Sequence, residues 1–198
     1  GFTLLELLAV LLIISILASV LLVSLWDASR AVELSATRAK IQVVETAASA
    51  YEQKFGDYPP SALEQVVSNN ETNVGIESFV AAMWSDGWEA GGMLSADELI
   101  NSDEDHSPQR LTDFKTRALL EVADGWKNPI AYFHRRDYGR EDRYVTIETE
   151  TGRMASSVAR AQENPRLRRY YRAHRFQLIS SGPDGTFGTE DDVANFDQ

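Results

Sequence analysis

From Phe2 to Trp26 the chain reads FTLLELLAVLLIISILASVLLVSLW, an apolar run with no Gly, no Pro and a single charge, Glu6. About 20 apolar residues at 1.5 Å rise each are enough to cross a bilayer, so the run predicts a membrane-spanning helix. A cleaved secretory signal would instead pair a charged start with a shorter apolar core and a small-residue cleavage site. Here the run passes into WDASRAVELSATRAKIQVVETAASAYEQKF, still without Gly or Pro. Leu34, Ile41, Val44, Ala48, Tyr51 and Phe55 recur at intervals of seven, three, four, three and four, which sets them on one helical stripe. Gly56 is placed to end the helix, and Pro59-Pro60 cannot extend it. Such a helix would be roughly 80 Å long, so its second half needs a domain to pack on. The expected organisation is residues 1–26 as a membrane or fibre-core half, 27–55 as an amphipathic half, and 56–198 as a globular head.

Glu6 carries the chemistry of the first segment. A carboxylate within the apolar layer costs on the order of 2.5–3.5 kcal/mol on insertion scales and calls for a partner or a function. It can reach the headgroup interface. It can also meet the terminal ammonium of a neighbour when identical helices stack with an axial stagger, where low dielectric strengthens the pair and penalises an unpaired charge. Glu6 would then set the register of a fibre.

The segment GFTLLELLAVLLIISILAS resembles the N-terminal motif of type IV pilins and of the pseudopilins of type II secretion systems. The resemblance implies a prepilin peptidase that cuts after Gly1, methylation of Phe2 as the mature N-terminus, and Glu6 as the assembly glutamate. It also implies an inner-membrane assembly platform, a helical homopolymer, and a subunit held in the inner membrane before entering a periplasmic or extracellular filament. The family's frequent helix-breaking Pro near the end of the apolar segment is replaced here by VLLVSLW.

In the head, GDYPPSALEQVV reads as a turn and a short helix, with Ser61 as N-cap and Glu64 completing an S-x-x-E box. It matches the G-x-Y-P signature that closes the first helix of pseudopilins. Residues 68–123 form a polar stretch longer than in the major pseudopilins and are read as an insertion, with short helices expected at about 76–84 and 111–122 and a break at Gly91-Gly92. Region 124–180 is expected to hold a small antiparallel sheet. ADGWKNPIAYF resembles the D-x-W-G-N-P-x-x-Y entry into that sheet, with Lys127 in place of Gly; Ile130–Phe133 would be the first strand. RYVTIETETG, ending at Gly152, would be the second, and RFQLISSGP the third, with Phe176, Leu178 and Ser180 facing one side. Three strands beside a long helix give an α+β fold.

Charge and composition narrow the chemistry. The formal charge is −11, which opposes nucleic-acid binding. Six arginines between Arg160 and Arg175, interleaved with Tyr170 and Tyr171, form the one basic stretch, read as a surface through which identical subunits join opposite patches. The absence of cysteine excludes disulfides and thiolate chemistry. The C-terminal loop 181–198, SGPDGTFGTEDDVANFDQ, gathers Asp184, Asp191, Asp192 and Asp197 among glycines, a composition suited to hard oxygen coordination of calcium, though without EF-hand spacing. It closely resembles the calcium loop of major pseudopilins. Carried over residue by residue, Asp184 and Asp191 would be side-chain ligands, Asp192 an additional one, and carbonyls near Ile179, Ser181 and Thr186 would complete the shell.

Nothing in the sequence asks for catalysis. His106, His134 and His174 are scattered, with the last two among arginines and expected at the surface, and no nucleophile or phosphate-loop motif is present. Asp103, Glu104 and Asp105 have no spacing that demands acid–base work. Two readings remain. One is a filament subunit, secretion pseudopilus or surface pilus; the other is a monomeric membrane-anchored binding protein that recognises a partner through Trp84 and Trp88.

Overall fold

The computed structural model describes residues 3–196 apart from 69, 86 and 89–91, and the backbone alone at 20–27. Gly1, Phe2, Gly91 and Asp197, singled out from the sequence, lie outside the described residues. Helix α1 (Leu4–Phe55) runs for 52 residues and ends where expected, at Gly56, whose φ of 84° suits a residue without Cβ. Its start is a capping box. Thr3 Oγ1 accepts the Glu6 N–H at 3.3 Å, while Glu6 Oε2 accepts the Thr3 N–H at 2.8 Å and its hydroxyl at 2.9 Å.

The two halves of α1 live in different surroundings. Ile41, Val44, Ala47 and Ala48 are buried, and Leu34 and Tyr51 pack on the same core; Phe55 sits at the rim, its ring tilted against that of Tyr51. Leu4 to Leu17 are exposed along the whole run. Among the described residues no helix is long and apolar enough to cross a membrane.

The head is α+β. Helices α2 (Glu64–Val67) and α3 (Val74–Met83) precede short strands: β1 (Leu99–Ile100), β2 (Glu121–Val122), β3 (Ala131–His134), β4 (Glu141–Ile147), β5 (Met154–Arg160), β6 (Glu163–Asn164), β7 (Arg169–Tyr170), β8 (Phe176–Ser180) and β9 (Val193–Ala194). All pairings are antiparallel: β3-β8-β9 form one sheet, and β1-β2, β4-β5 and β6-β7 form two-stranded ribbons. The central sheet lies between α1 and α3, with Tyr132 and Phe176 at the middle beside Phe79 and Tyr58. Every residue of α3 is buried, so the 68–123 region supplies part of the core itself.

Several expectations change. Ser61 is not a cap: α2 starts after Leu63 with no side-chain cap, and the buried Ser61 hydroxyl accepts the His134 N–H at 2.9 Å and donates to Asp137 at 2.6 Å, tethering the Pro-Pro segment to β3. No helix forms over 111–122. Backbone donors there reach sideways, Asp113 N–H to the Trp84 carbonyl at 2.8 Å, and Phe114 packs on Trp84 with ring centres 5.5 Å apart. The second expected strand ends at Ile147; residues 148–152 turn through Gly152 at φ 65°. It pairs with β5, a strand the sequence did not signal. Strand β8 is buried on both faces, because it is central.

His134 was expected at the surface and is buried. Its Nδ1 accepts the Arg136 N–H at 3.2 Å, so the proton sits on Nε2, 3.3 Å from Asp57; burial holds its pKa below the usual imidazole value. His174 is exposed. Part of the basic stretch is used internally: Arg172 donates to Glu45 of α1 at 2.5 Å and to the Asn195 carbonyl at 2.6 Å, and Arg160 pairs with Glu141 at 2.7 Å. Arg166, Arg168 and Arg169 point outward around the β6-β7 turn.

Candidate metal centre

The C-terminal loop folds around three left-handed glycines, Gly182, Gly185 and Gly188. Gly182 is required, because a Cβ there would lie 2.5 Å from the Asp191 carbonyl that closes the loop. Asp184 Oδ1 accepts the Thr186 N–H at 2.7 Å, and Asp191 accepts the Asp184 N–H at 3.4 Å and the Thr189 hydroxyl at 2.5 Å. Asp192 Oδ2 accepts the Gly188 N–H at 2.8 Å and Gln162 Nε2 at 3.2 Å. Its Oδ1 and the Ser181 hydroxyl are buried without a partner. Burial, then the neighbouring Asp191 and Asp184, pushes the Asp192 pKa up to about 6. Ile179 lies in β8, paired with Ala131 and Ala194. The donors are all hard oxygens, which suits calcium in kind. The three aspartates do not form a trio with mutually adjacent oxygens; among the described residues only one such trio exists, and it lies elsewhere.

That trio is Glu77, Asp103 and Glu121, whose carboxylate oxygens lie within 4.8 Å of one another. Glu77 stands in the middle of α3 and Glu121 opens β2, which faces that helix. Asp103 and Asp105 come from the loop after β1, flanking Glu104, whose φ of 59° turns the chain sharply between them. The Asp105 N–H is held by Asn101 Oδ1 at 3.2 Å, while Asn101 Nδ2 donates to the Asp105 carbonyl at 2.9 Å. Asn73, itself at φ 52° before α3, donates to Glu121 Oε1 at 2.7 Å and to the Ser102 hydroxyl at 3.0 Å. Ser102 donates its N–H to Glu121 at 3.1 Å, and Asn70 donates to Glu77 Oε2 at 2.6 Å.

Compared with models of protein families, with curated proteins and with solved structures, the chain has no match.

These neutral donors satisfy only part of the cluster. Glu77, 1 % exposed, keeps Oε1 buried and without a hydrogen-bond partner. Both Asp103 oxygens and Asp105 Oδ1 are likewise out of water, with no donor from outside their own turn. Among the described residues no Lys, Arg or His forms an ion pair with any of the four. Burial, then the charges of Asp105, Asp103 and Glu121, pushes the Glu77 pKa up to about 10. Burial and Asp103 push Glu121 up to about 8 and Asp105 up to about 7, and burial raises Asp103. The sign follows from proton binding: the folded head keeps protons on Glu77 and Glu121 that the unfolded chain loses near pH 4.5. The stability they lend is complete below that pH and is lost as pH rises towards 8 and 10. In a chelating buffer the head should therefore melt at a lower temperature at pH 8 than at pH 5. The slope is on the order of 1.4 kcal/mol per pH unit for each group, followed by circular dichroism.

The sequence held a faint signal for this centre. Glu77 interrupts the otherwise apolar VGIESFVAAM, and Glu121 interrupts LLEVA; a lone carboxylate inside an apolar segment asks for a partner. Asp103 and Asp105, in an acidic run, read as solvated loop. No sequence spacing links positions 77 and 121, so their meeting is a property of the fold. Trp84 is buried, and Trp88 lies against the core with the Lys54 ammonium 4.3 Å above its ring.

Proposed function

We propose that the chain is a structural subunit of a type IV pilus-like or pseudopilus filament, stored in an inner membrane by the first half of α1 and assembled by packing those halves together. The supporting observation is the division of α1. One continuous helix has its second half set into the head, while its first half presents eleven large apolar side chains between Leu4 and Leu17, each 48–82 % exposed. Burying half of that surface is worth on the order of 10 kcal/mol or more, so this face belongs in lipid or against other copies.

In this reading Glu6 pairs with a neighbouring subunit's terminal ammonium, and a prepilin peptidase and a membrane assembly platform act on the chain before the filament becomes periplasmic or extracellular. The C-terminal loop would hold calcium through Asp184, Asp191 and Asp192 with carbonyls near Ile179, Ser181 and Thr186; the ion would neutralise carboxylates gathered in a tight turn. The binding-protein alternative is weakened, since Trp84 and Trp88 spend their rings on the core.

The test is Glu6→Leu in cells producing the protein. Sheared filaments seen by electron microscopy should vanish while the subunit stays in the membrane fraction. Filaments of normal number and length from this variant, or no filaments from the unaltered chain, would overturn the proposal.

A further inference from the structure

The buried carboxylates at α3 are brought together from distant parts of the chain. Three oxygens from three separate elements converge within 4.8 Å, and Glu77, 1 % exposed, brings to the cluster a buried Oε1 with no hydrogen-bond partner. Around them stand Asn70, which donates to Glu77 Oε2, and Asn73 and Ser102, which donate to Glu121, so that two of the three carboxylates are held in place by neutral side chains. The set contains oxygen alone, with no sulfur and no imidazole, which selects a hard cation over zinc or copper. Carboxylates from a loop, a helix and a strand, one loop turning at Glu104 to present Asp103 and Asp105 together, suit the larger and irregular shell of calcium better than the strict octahedron of magnesium.

We infer that Glu77, Asp103 and Glu121, with Asp105 beside them, bind a calcium ion that pins the 99–107 loop and β2 onto α3. This site is separate from the C-terminal loop and independent of the filament reading. Its role is structural: it replaces mutual repulsion by a common counter-charge, joining a loop that otherwise holds by a few backbone bonds, such as Ser107 N–H to the Arg117 carbonyl at 2.9 Å, to a fully buried helix.

The experiment uses the full chain in detergent micelles, stripped with EDTA and dialysed, then titrated with CaCl2 by calorimetry. To silence the C-terminal loop, the background carries Asp184→Asn and Asp191→Asn. One ion per chain is expected to bind, with a Kd of about 10⁻⁵ M, and to raise the melting temperature by about 6–10 °C at hundredfold excess over Kd. Adding Glu77→Gln and Asp103→Asn, which keep size and shape, should abolish both effects. No binding in the background, binding that survives the two further substitutions, or an equal response to MgCl2 would each overturn the assignment. Should the variants fail to fold, hydrogen exchange of the unaltered chain decides. Calcium should slow exchange over 99–107 and 119–122, and unchanged rates there overturn the site.

Discussion

Gly75→Ala should lower the stability of the head by about 3 kcal/mol or more, a drop in melting temperature of roughly 6–12 °C. Ala normally favours a helix over Gly by about 1 kcal/mol, so the expected sign runs against propensity. The cause is contact. A Cβ on Gly75 would lie 2.3 Å from the Tyr132 carbonyl and 2.9 Å from both Asp142 Oδ2 and the Tyr144 hydroxyl. Tyr132 belongs to β3, paired with Leu178 of the central strand, so its backbone cannot yield without disturbing the sheet. Asp142 is held by Arg140, and Tyr144 is wholly buried, so neither side chain is free to retreat. Helix α3 must lift instead, exposing Phe79 and Ile76. Thermal melting of the variant measures the effect; an unchanged or higher midpoint would show that α3 is not pressed against β3.

Gly125→Ala should separate the head from α1. The turn 124–128 inserts against the helix: the Gly125 N–H donates to Thr37 Oγ1 at 2.9 Å, and the Thr37 hydroxyl donates in turn to the Glu33 carbonyl at 2.9 Å. A Cβ on Gly125 would meet that carbonyl at 2.3 Å. The turn is stiff on its other side as well. Buried Asp124 accepts the N–H groups of Trp126 and Asn128, both at 2.9 Å, and the Ser180 hydroxyl of β8 at 2.5 Å. With neither partner able to move, the helix and turn part, at a cost of about 3 kcal/mol. Amide exchange over Thr37 to Ala48 should accelerate by about two orders of magnitude at that cost. Exchange at the original rate would place the head–helix attachment elsewhere.

What could be read from the sequence was whatever local chemistry decides. Gly56 ends α1 because only the left-handed conformation closes it there, and the stripe through Ile41, Val44 and Ala48 is the face that the head covers. Helix α3 and the strand segments around Tyr132, Tyr144 and Leu178 were visible in their apolar patterns. Strand β5 was not, because its inward residues, Ser157 and Ala159, are small and carry no hydrophobic signal; its position is dictated by pairing with β4. The 111–122 segment misled for the opposite reason. Leu111, Phe114 and Leu119 have helix-like spacing, yet they serve different neighbours, Phe114 on Trp84 and the two leucines on a small cluster with Val66, Val74 and Ala81. The acidic trio required three segments far apart in the chain to meet.

The capping box at the head of α1 bears on how a subunit could change neighbours. Glu6 already grips its own chain, through the Thr3 N–H and hydroxyl. In the proposed fibre, docking is then an exchange of one grip for another: the carboxylate releases its own first turn as an incoming ammonium takes it, and at no moment need it stand bare in lipid. Such a latch would allow a helix to slide past its neighbours until the one partner worth letting go for comes into reach.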